Sequence, residues 1–223
     1  MMNHVNVASV HDSGLAADGR PFFAMEYIAG EDIKSYCDHH HLSIPARVRL
    51  FLQVCDGVLH AHQKGVLHRD IKPGNLMVTA TPTGSGVVKV IDFGLAKSLH
   101  GKLARQTLHT SFGAFVGTPV YSSPEHVSGR ATGVDTRSDI YSMGVVLYEL
   151  LVGTTPIASE SLQDLEPERL REIVCNSRLP SMREQLQKTS KERQAKLAEH
   201  RAIKLDELPK TLDGDLSWVV GKC

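Results

Sequence analysis

An α+β fold is predicted by three observations: paired β-prone runs near the N-terminus and again beyond residue 75, a change to helical period after Gly30, and a short apolar helix from Asp139 to Leu151. The chain has 223 residues and is 41% hydrophobic, enough for one large or two small domains with a real core.

The first elements are the runs Val5 to Val10 and Phe22 to Tyr27, separated by Asp12-Ser13-Gly14 and Asp18-Gly19-Arg20-Pro21, which predict two antiparallel strands joined by a loop. Glu31 to His39 then suits a short helix. A longer helix follows from Ser43 through Lys64, because Val48, Phe51, Leu52, Cys55, Val58 and Leu59 recur at three- and four-residue spacings. Ser43 is its expected N-cap and Gly65 its stop. Leu76 to Thr79 and Val87 to Ile91 predict two further strands around the turn residues Pro82 to Gly86. The aperiodic stretch from Leu95 to Ser122, rich in Gly, Ser, Thr and His, is long for a loop in a compact domain and reads as regulatory. Asp139 to Leu151 is apolar nearly all round and ends at Gly153, as a core helix would. Charged, helical composition from Glu160 to Lys210 follows, with Met182 to Arg201 expected as a solvated excursion.

Composition narrows the function classes. Twenty-five basic and 25 acidic residues give a formal net charge of zero, so nothing points to a nucleic-acid partner or a membrane surface. Cys37, Cys55, Cys175 and Cys223 show no paired spacing, which favours a reducing, cytoplasmic setting over a disulfide framework or a zinc site. No targeting signal is visible at the N-terminus. The apolar stretch from Ile140 to Val152 contains Tyr141, Ser142, Tyr148 and Glu149 and is well short of the ~20 residues that cross a bilayer. No membrane span is expected. His39-His40-His41 lacks a second ligand cluster and reads as a polar helix end.

The chemistry lies in His68-Arg69-Asp70-Ile71-Lys72-Pro73-Gly74-Asn75, then Asp92-Phe93-Gly94, then Gly117-Thr118-Pro119-Val120-Tyr121-Ser122-Ser123-Pro124-Glu125. In this order and spacing the segments resemble the eukaryotic-type (Hanks-type) serine/threonine protein kinases, in wording closest to bacterial multidomain ones. The likeness runs from His4 to about Pro156 and again from Leu212. It implies a protein-kinase-like fold, with residues 1–29 as a remnant of the small ATP-binding lobe and its hinge, and residues 30–223 as the large lobe, incomplete at its C-terminus.

The resemblance assigns roles. Asp70 would accept or orient the proton of the substrate hydroxyl, and Lys72 would steady the transferring phosphoryl group. Asn75 and Asp92, both hard oxygen donors, would hold Mg2+. Thr118 would hydrogen-bond the Asp70–Lys72 pair, and Lys72 with the Gly117-Thr118-Pro119 run points to the serine/threonine branch. Phe23 to Gly30 resembles the final small-lobe strand and hinge. There Met25 would be the gatekeeper, the backbone of Glu26 and Ile28 would bind the adenine edge of ATP, Asp32 would reach the ribose and Met77 would lie under the ring. Without that context Met25 and Met77 are core residues. Asp139 would brace the catalytic loop, a role compatible with that of an acid facing a helix dipole. Arg69 resembles the arginine that pairs with an activation-loop phosphate, for which Thr107, Thr110 and Ser111 are acceptors of equal standing.

Two departures from the family pattern stand out. The Gly-rich loop, the strand lysine and its helix glutamate would all precede His4, and the arginine that normally pairs with Glu125 would follow Leu212 to Val220. These leave two functional readings: ATP-dependent phosphorylation of serine and threonine in protein substrates, and a catalytically impaired kinase fragment acting as an interaction module. A small-molecule phosphotransferase is disfavoured, because Gly117 to Glu125 resembles a platform for peptide substrates.

Overall fold

The computed structural model describes residues 2–18, 20–81, 85–93, 119–127, 134–158, 162 and 165–223. An antiparallel hairpin opens the chain, β1 (Val10–Leu15) and β2 (Pro21–Met25), with Val10 opposite Met25 and Leu15 opposite Pro21. This corrects the expected strand at Val5 to Val10. Asn6 and Val7 are instead taken by the body of the protein: the Ala8 amide donates to the Val90 carbonyl at 2.9 Å, the Val90 amide to the Asn6 carbonyl at 2.8 Å, and Asn6 Nδ2 to the Val88 carbonyl at 2.8 Å. Backbone groups engaged in this way are lost to the hairpin. Asp12-Ser13-Gly14, expected as a turn, lies inside β1, and the turn closes where the Ala16 amide meets the Arg20 carbonyl at 2.8 Å.

A second sheet has the order β3 (Glu31–Asp32), β4 (Leu76–Ala80), β5 (Gly86–Val90), all antiparallel, with Asp32 opposite Met77 and Leu76 opposite Val90. Pairing with β4 draws Glu31 and Asp32 out of the helix expected from Glu31. Helix α1 (Ile33–His39) therefore starts after Asp32, whose Oδ1 accepts the Lys34 and Ser35 amides at 3.0 Å each. Gly30 sits where the chain enters this sheet, and a Cβ there would lie 2.2 Å from the Val78 carbonyl oxygen. Gly30→Ala must push two strands apart, and a loss of ~1–3 kcal/mol is expected from the denaturant midpoint; an unchanged midpoint would refute the close approach.

Helix α2 (Ile44–Gln63) follows Ser43 as predicted and ends before Gly65, which takes φ +72°. It buries Ile44, Leu50, Phe51, Val54, Val58 and Ala61 on one stripe against the sheet. Gln53 ties the two together, its Oε1 accepting the Val88 amide at 3.0 Å and its Nε2 donating to the Gly86 carbonyl at 3.1 Å. After the short α3 (Pro124–Val127) comes α4 (Thr136–Val152), capped by the Asp135 carboxylate and buried nearly all round, with Val146, Leu150 and Leu151 fully enclosed.

The remaining helices are α5 (Pro167–Asn176), α6 (Met182–Lys188), α7 (Lys191–His200), α8 (Leu208–Thr211) and α9 (Asp215–Val220). Met182 to Arg201 is not the solvated excursion its charge suggests. Met182, Leu186, Leu197 and Ala198 join the main core, and Arg201 is 1% exposed. Its charged residues occupy the outer faces of two amphipathic helices, one opened by the Ser181–Glu184 capping box.

Arg47, fully buried, crosses the centre of this assembly and donates to the carbonyls of Leu42, Cys37, Leu150 and His200, joining α1, α2, α4 and α7. A smaller cluster of Val120, Val127, Leu162, Leu170 and Val174 packs α3 against α5. Each fully enclosed Leu or Ile contributes ~1.5–3 kcal/mol, whereas exposed pairs such as Arg20–Asp18 are screened by solvent, so burial and not surface charge holds the fold. Among the described residues no helix is long and apolar enough to cross a membrane.

Candidate active site

The catalytic-loop segment leaves α2 at Gly65 and reaches β4 through a single 3-10 turn at Pro73–Asn75. One carboxylate organises it. Asp139, in the first turn of α4 and 1% exposed, accepts the His68 and Arg69 amides at 2.8 Å each, one on each oxygen, and His62 Nε2 at 2.7 Å. Arg69 is thereby held at φ +65°. A left-handed non-glycine residue costs ~1–2 kcal/mol, and a hydrogen bond to a charged group contributes ~1.5–3 kcal/mol, so the Asp139 bonds outweigh the strain.

Beyond this brace, Asp70, Lys72 and Asn75 come together. Lys72 Nζ lies 2.8 Å from Asp70 Oδ2, and Asn75 Nδ2 donates to the Asp70 carbonyl at 2.7 Å and to Oδ2 at 3.1 Å. The Asp70 side chain remains 43% exposed, and its Oδ1 is without a partner among the described residues. With its amide nitrogen engaged, Asn75 keeps its side-chain oxygen without a partner among the described residues.

His68 connects the loop to the residues after β5. Its Nε2 donates to the Ile91 carbonyl at 3.0 Å, leaving Nδ1 to accept the Asp70 amide at 3.3 Å, and its ring lies 4.8 Å from that of buried Phe93. The Ile91 amide returns to the Asn75 carbonyl at 3.0 Å, and Asp92 takes φ +59°. Strained backbone at Arg69 and Asp92 thus flanks the cluster. Burial lowers the His68 pKa below the ordinary 6.5, with the Asp139 charge opposing it. The folded protein therefore binds fewer protons than the unfolded one just below pH 6.5. The His68 contribution is whole above that pH and is lost as pH falls, by up to ~1.4 kcal/mol per unit. Unfolding free energies between pH 7.5 and 5.5 check this, with a flat profile as the refuting outcome.

The residues expected to form the hinge hold complementary backbone groups. The Glu26 amide donates to the Ser9 carbonyl at 2.8 Å, and its side chain accepts Lys89 Nζ at 2.9 Å and the Ser9 amide at 3.1 Å, bonds that hold the carboxyl below its usual range. Among the described residues neither the Glu26 carbonyl nor the Ile28 amide has a partner. Met77 stands opposite Asp32 across β3 and β4, and among the described residues Asp32 Oδ2 has no partner while Oδ1 caps α1. Thr118, like Gly94, Gly117, Thr107, Thr110 and Ser111, lies outside the described residues.

Two arrangements were not read from the sequence. Tyr121 donates its hydroxyl to Glu149 Oε2 at 2.7 Å, and Ser142 Oγ donates to the Tyr121 carbonyl at 2.7 Å, pinning the segment before α3 onto α4. Burial raises the Glu149 carboxyl pKa, while the Tyr121 hydrogen bond opposes the rise. An acid within an otherwise apolar helix was the available signal. Glu125, for which an arginine beyond Val220 was expected, accepts the Ser138 hydroxyl. Burial pushes the Glu125 carboxyl up, but hydrogen bonds from Ser138, its own backbone and Ser123 leave it below the usual range.

Serine/threonine-protein kinase pkn3 of Myxococcus xanthus is 41% identical over 172 residues, covering 77% of this chain and 31% of that protein. Serine/threonine-protein kinase PknB of Mycobacterium leprae is 36% identical over 176 residues, covering 77% and 26%. This chain thus spans about a quarter to a third of the length of these relatives. A crystal structure of the Mycobacterium tuberculosis PknI kinase domain shares the fold, with a TM-score of 0.54, 21% identity, and coverage of 94% of this chain and 71% of that one. The family model described as the protein kinase domain matches residues 1–206, and the chain belongs to that family, on its bacterial serine/threonine side.

Proposed function

We propose that the protein transfers the γ-phosphate of ATP to serine or threonine hydroxyls of protein substrates. The observation that carries this reading is the convergence of Asp70, Lys72 and Asn75 within 3.1 Å, on a loop braced by Asp139. Phosphoryl transfer asks a protein mainly for positioning and charge stabilisation, and this cluster has both. Asp70, through its free Oδ1, accepts the proton of the substrate hydroxyl as that oxygen forms its bond to the γ-phosphorus and the bond to ADP breaks. Lys72 supplies a positive charge to the phosphoryl oxygens, and Thr118 steadies the pair.

Asn75 and Asp92 fit Mg2+, since the free amide oxygen of one and the carboxylate of the other are hard donors. When bound, magnesium neutralises the nucleotide phosphate oxygens. The Glu26 carbonyl and Ile28 amide suit the donor and acceptor of an adenine edge, Asp32 Oδ2 suits a ribose hydroxyl, and Met77 suits the ring face. In this reading residues 1–29 belong to the small lobe and residues 30–223 to the large one. A cytoplasmic setting and polypeptide rather than nucleic-acid partners fit the unpaired cysteines and zero net charge.

The test is transfer from labelled ATP with magnesium to a generic basic protein, followed by acid hydrolysis. Labelled phosphoserine and phosphothreonine are expected. Label on tyrosine would overturn the branch assignment, and none at all would leave this chain as an interaction module.

A further inference from the structure

Away from the active site, a cavity of 440 Å³ opens between α1, the C-terminal end of α4, and α7. Among the described residues its lining carries four cationic side chains, Lys34, Arg193, Lys196 and Arg201, against one carboxylate, Asp38, an excess of three positive charges. His200 adds none when neutral, and burial lowers its pKa.

Asp38 is already shared. Lys34 Nζ lies 3.1 Å from its Oδ2, and Arg47 Nη1 lies 2.8 Å from Oδ1 as an ionic contact without hydrogen-bond alignment, with Arg201 Nη1 farther away at 3.6 Å. Arg201 gives Nε to the Leu151 carbonyl at 2.6 Å and Nη2 to the Leu150 carbonyl at 2.9 Å. Its Nη1 makes no hydrogen bond among the described residues beyond the long 3.6 Å ionic contact with Asp38, although the side chain is 99% enclosed. Burial, together with the neighbouring Arg47, lowers the Arg201 pKa to about 9, the mark of an undercompensated positive charge. Arg193 and Lys196 are exposed one turn apart on α7, and neither head group has an ion-pair partner among the described residues. Among the described residues no acidic side chain other than Asp38 lines the cavity.

We propose that this cavity is a binding site for a phosphate monoester dianion. A guanidinium presents paired N–H donors to phosphate oxygens, and ammonium groups add point charge, so Arg193, Arg201, Lys34 and Lys196 surround the dianion from two helices. The net charge favours a dianion over a single carboxylate, and the partly enclosed setting strengthens the attraction. The site stands apart from the proposed phosphoryl transfer, and its test reads binding alone.

The experiment titrates the full chain, without ATP or magnesium, with three probes: a glycine-serine peptide carrying one phosphothreonine, its unphosphorylated counterpart, and inorganic phosphate. Phosphate-dependent binding is expected, weakened about tenfold or more by the paired change Arg193→Ala and Lys196→Ala. Both residues are exposed, so the variant should keep the parent circular dichroism and melting temperature. Equal affinity for the phosphopeptide and inorganic phosphate identifies a free anion as sufficient, whereas a preference for the phosphopeptide points to a phosphorylated polypeptide. Absence of binding by both phosphate probes, equal binding of the two peptides, or an unchanged affinity in the folded double variant overturns the proposal.

Discussion

Asp70→Asn is expected to lower the rate of phosphoryl transfer ~10²- to 10⁴-fold, the usual contribution of a positioned general base. The replacement is nearly isosteric. Its side-chain oxygen still receives Lys72 and Asn75, which now meet at Asp70 Oδ2 within 2.8 and 3.1 Å, so the loop keeps its path. What disappears is the carboxylate able to take a proton at Oδ1. The loss should therefore fall on kcat, with KM for ATP little changed and the denaturant midpoint within ~0.5 kcal/mol of the parent. Because Asp70 is 43% exposed, no large desolvation effect complicates the comparison. Undiminished turnover in the variant would remove Asp70 from the reaction and with it the roles assigned to its two neighbours.

Asp139→Ala is expected to cost ~3–5 kcal/mol in stability, the scale on which removal of one member of a buried charged network is felt. The carboxylate receives three donors, and its loss strands the His68 and Arg69 amides and the His62 ring nitrogen in a buried region. Arg69 at φ +65° would also lose what holds it there. Below the variant's melting temperature kcat should fall as well, since the loop that presents Asp70 is no longer fastened to α4. Asp139→Asn, which keeps one acceptor oxygen, should be milder in both measurements. A cost below ~1 kcal/mol for the alanine variant would show that the loop is fastened elsewhere.

Much of this was legible in the sequence for identifiable reasons. Helix α2 announces itself through its periodicity and α4 through an apolar run on all faces, and both through Gly65 and Gly153, which adopt φ +72° and +85° where the helices stop. Strands β4 and β5 stand out because both are short, apolar and separated by turn residues. The catalytic cluster is equally local, because Asp70, Lys72 and Asn75 lie within six consecutive positions and one short turn is enough to bring them together.

The misread elements share a different cause. Val5 to Val10 has strand composition, yet Asn6 and Val7 bond to β5 more than 80 residues away. Glu31 and Asp32 were assigned to a helix because their partner strand begins at Leu76, beyond the reach of any window. Charge dominates the composition of Met182 to Arg201, whereas four apolar side chains, Met182, Leu186, Leu197 and Ala198, and one enclosed arginine face the core.

Local spacing and chain order were thus sufficient for the family and for the meeting of Asp70, Lys72 and Asn75, since both are written in segments a few residues long. Bracing Asp70 through Asp139, tying Tyr121 to Glu149 and bringing Arg201 to the cavity beside Lys34 and Asp38 depended on folding, because each joins residues 28 to 167 positions apart that share no local pattern. Burial then changes what those side chains can do, and exposure is a property of the assembled chain, not of any segment within it.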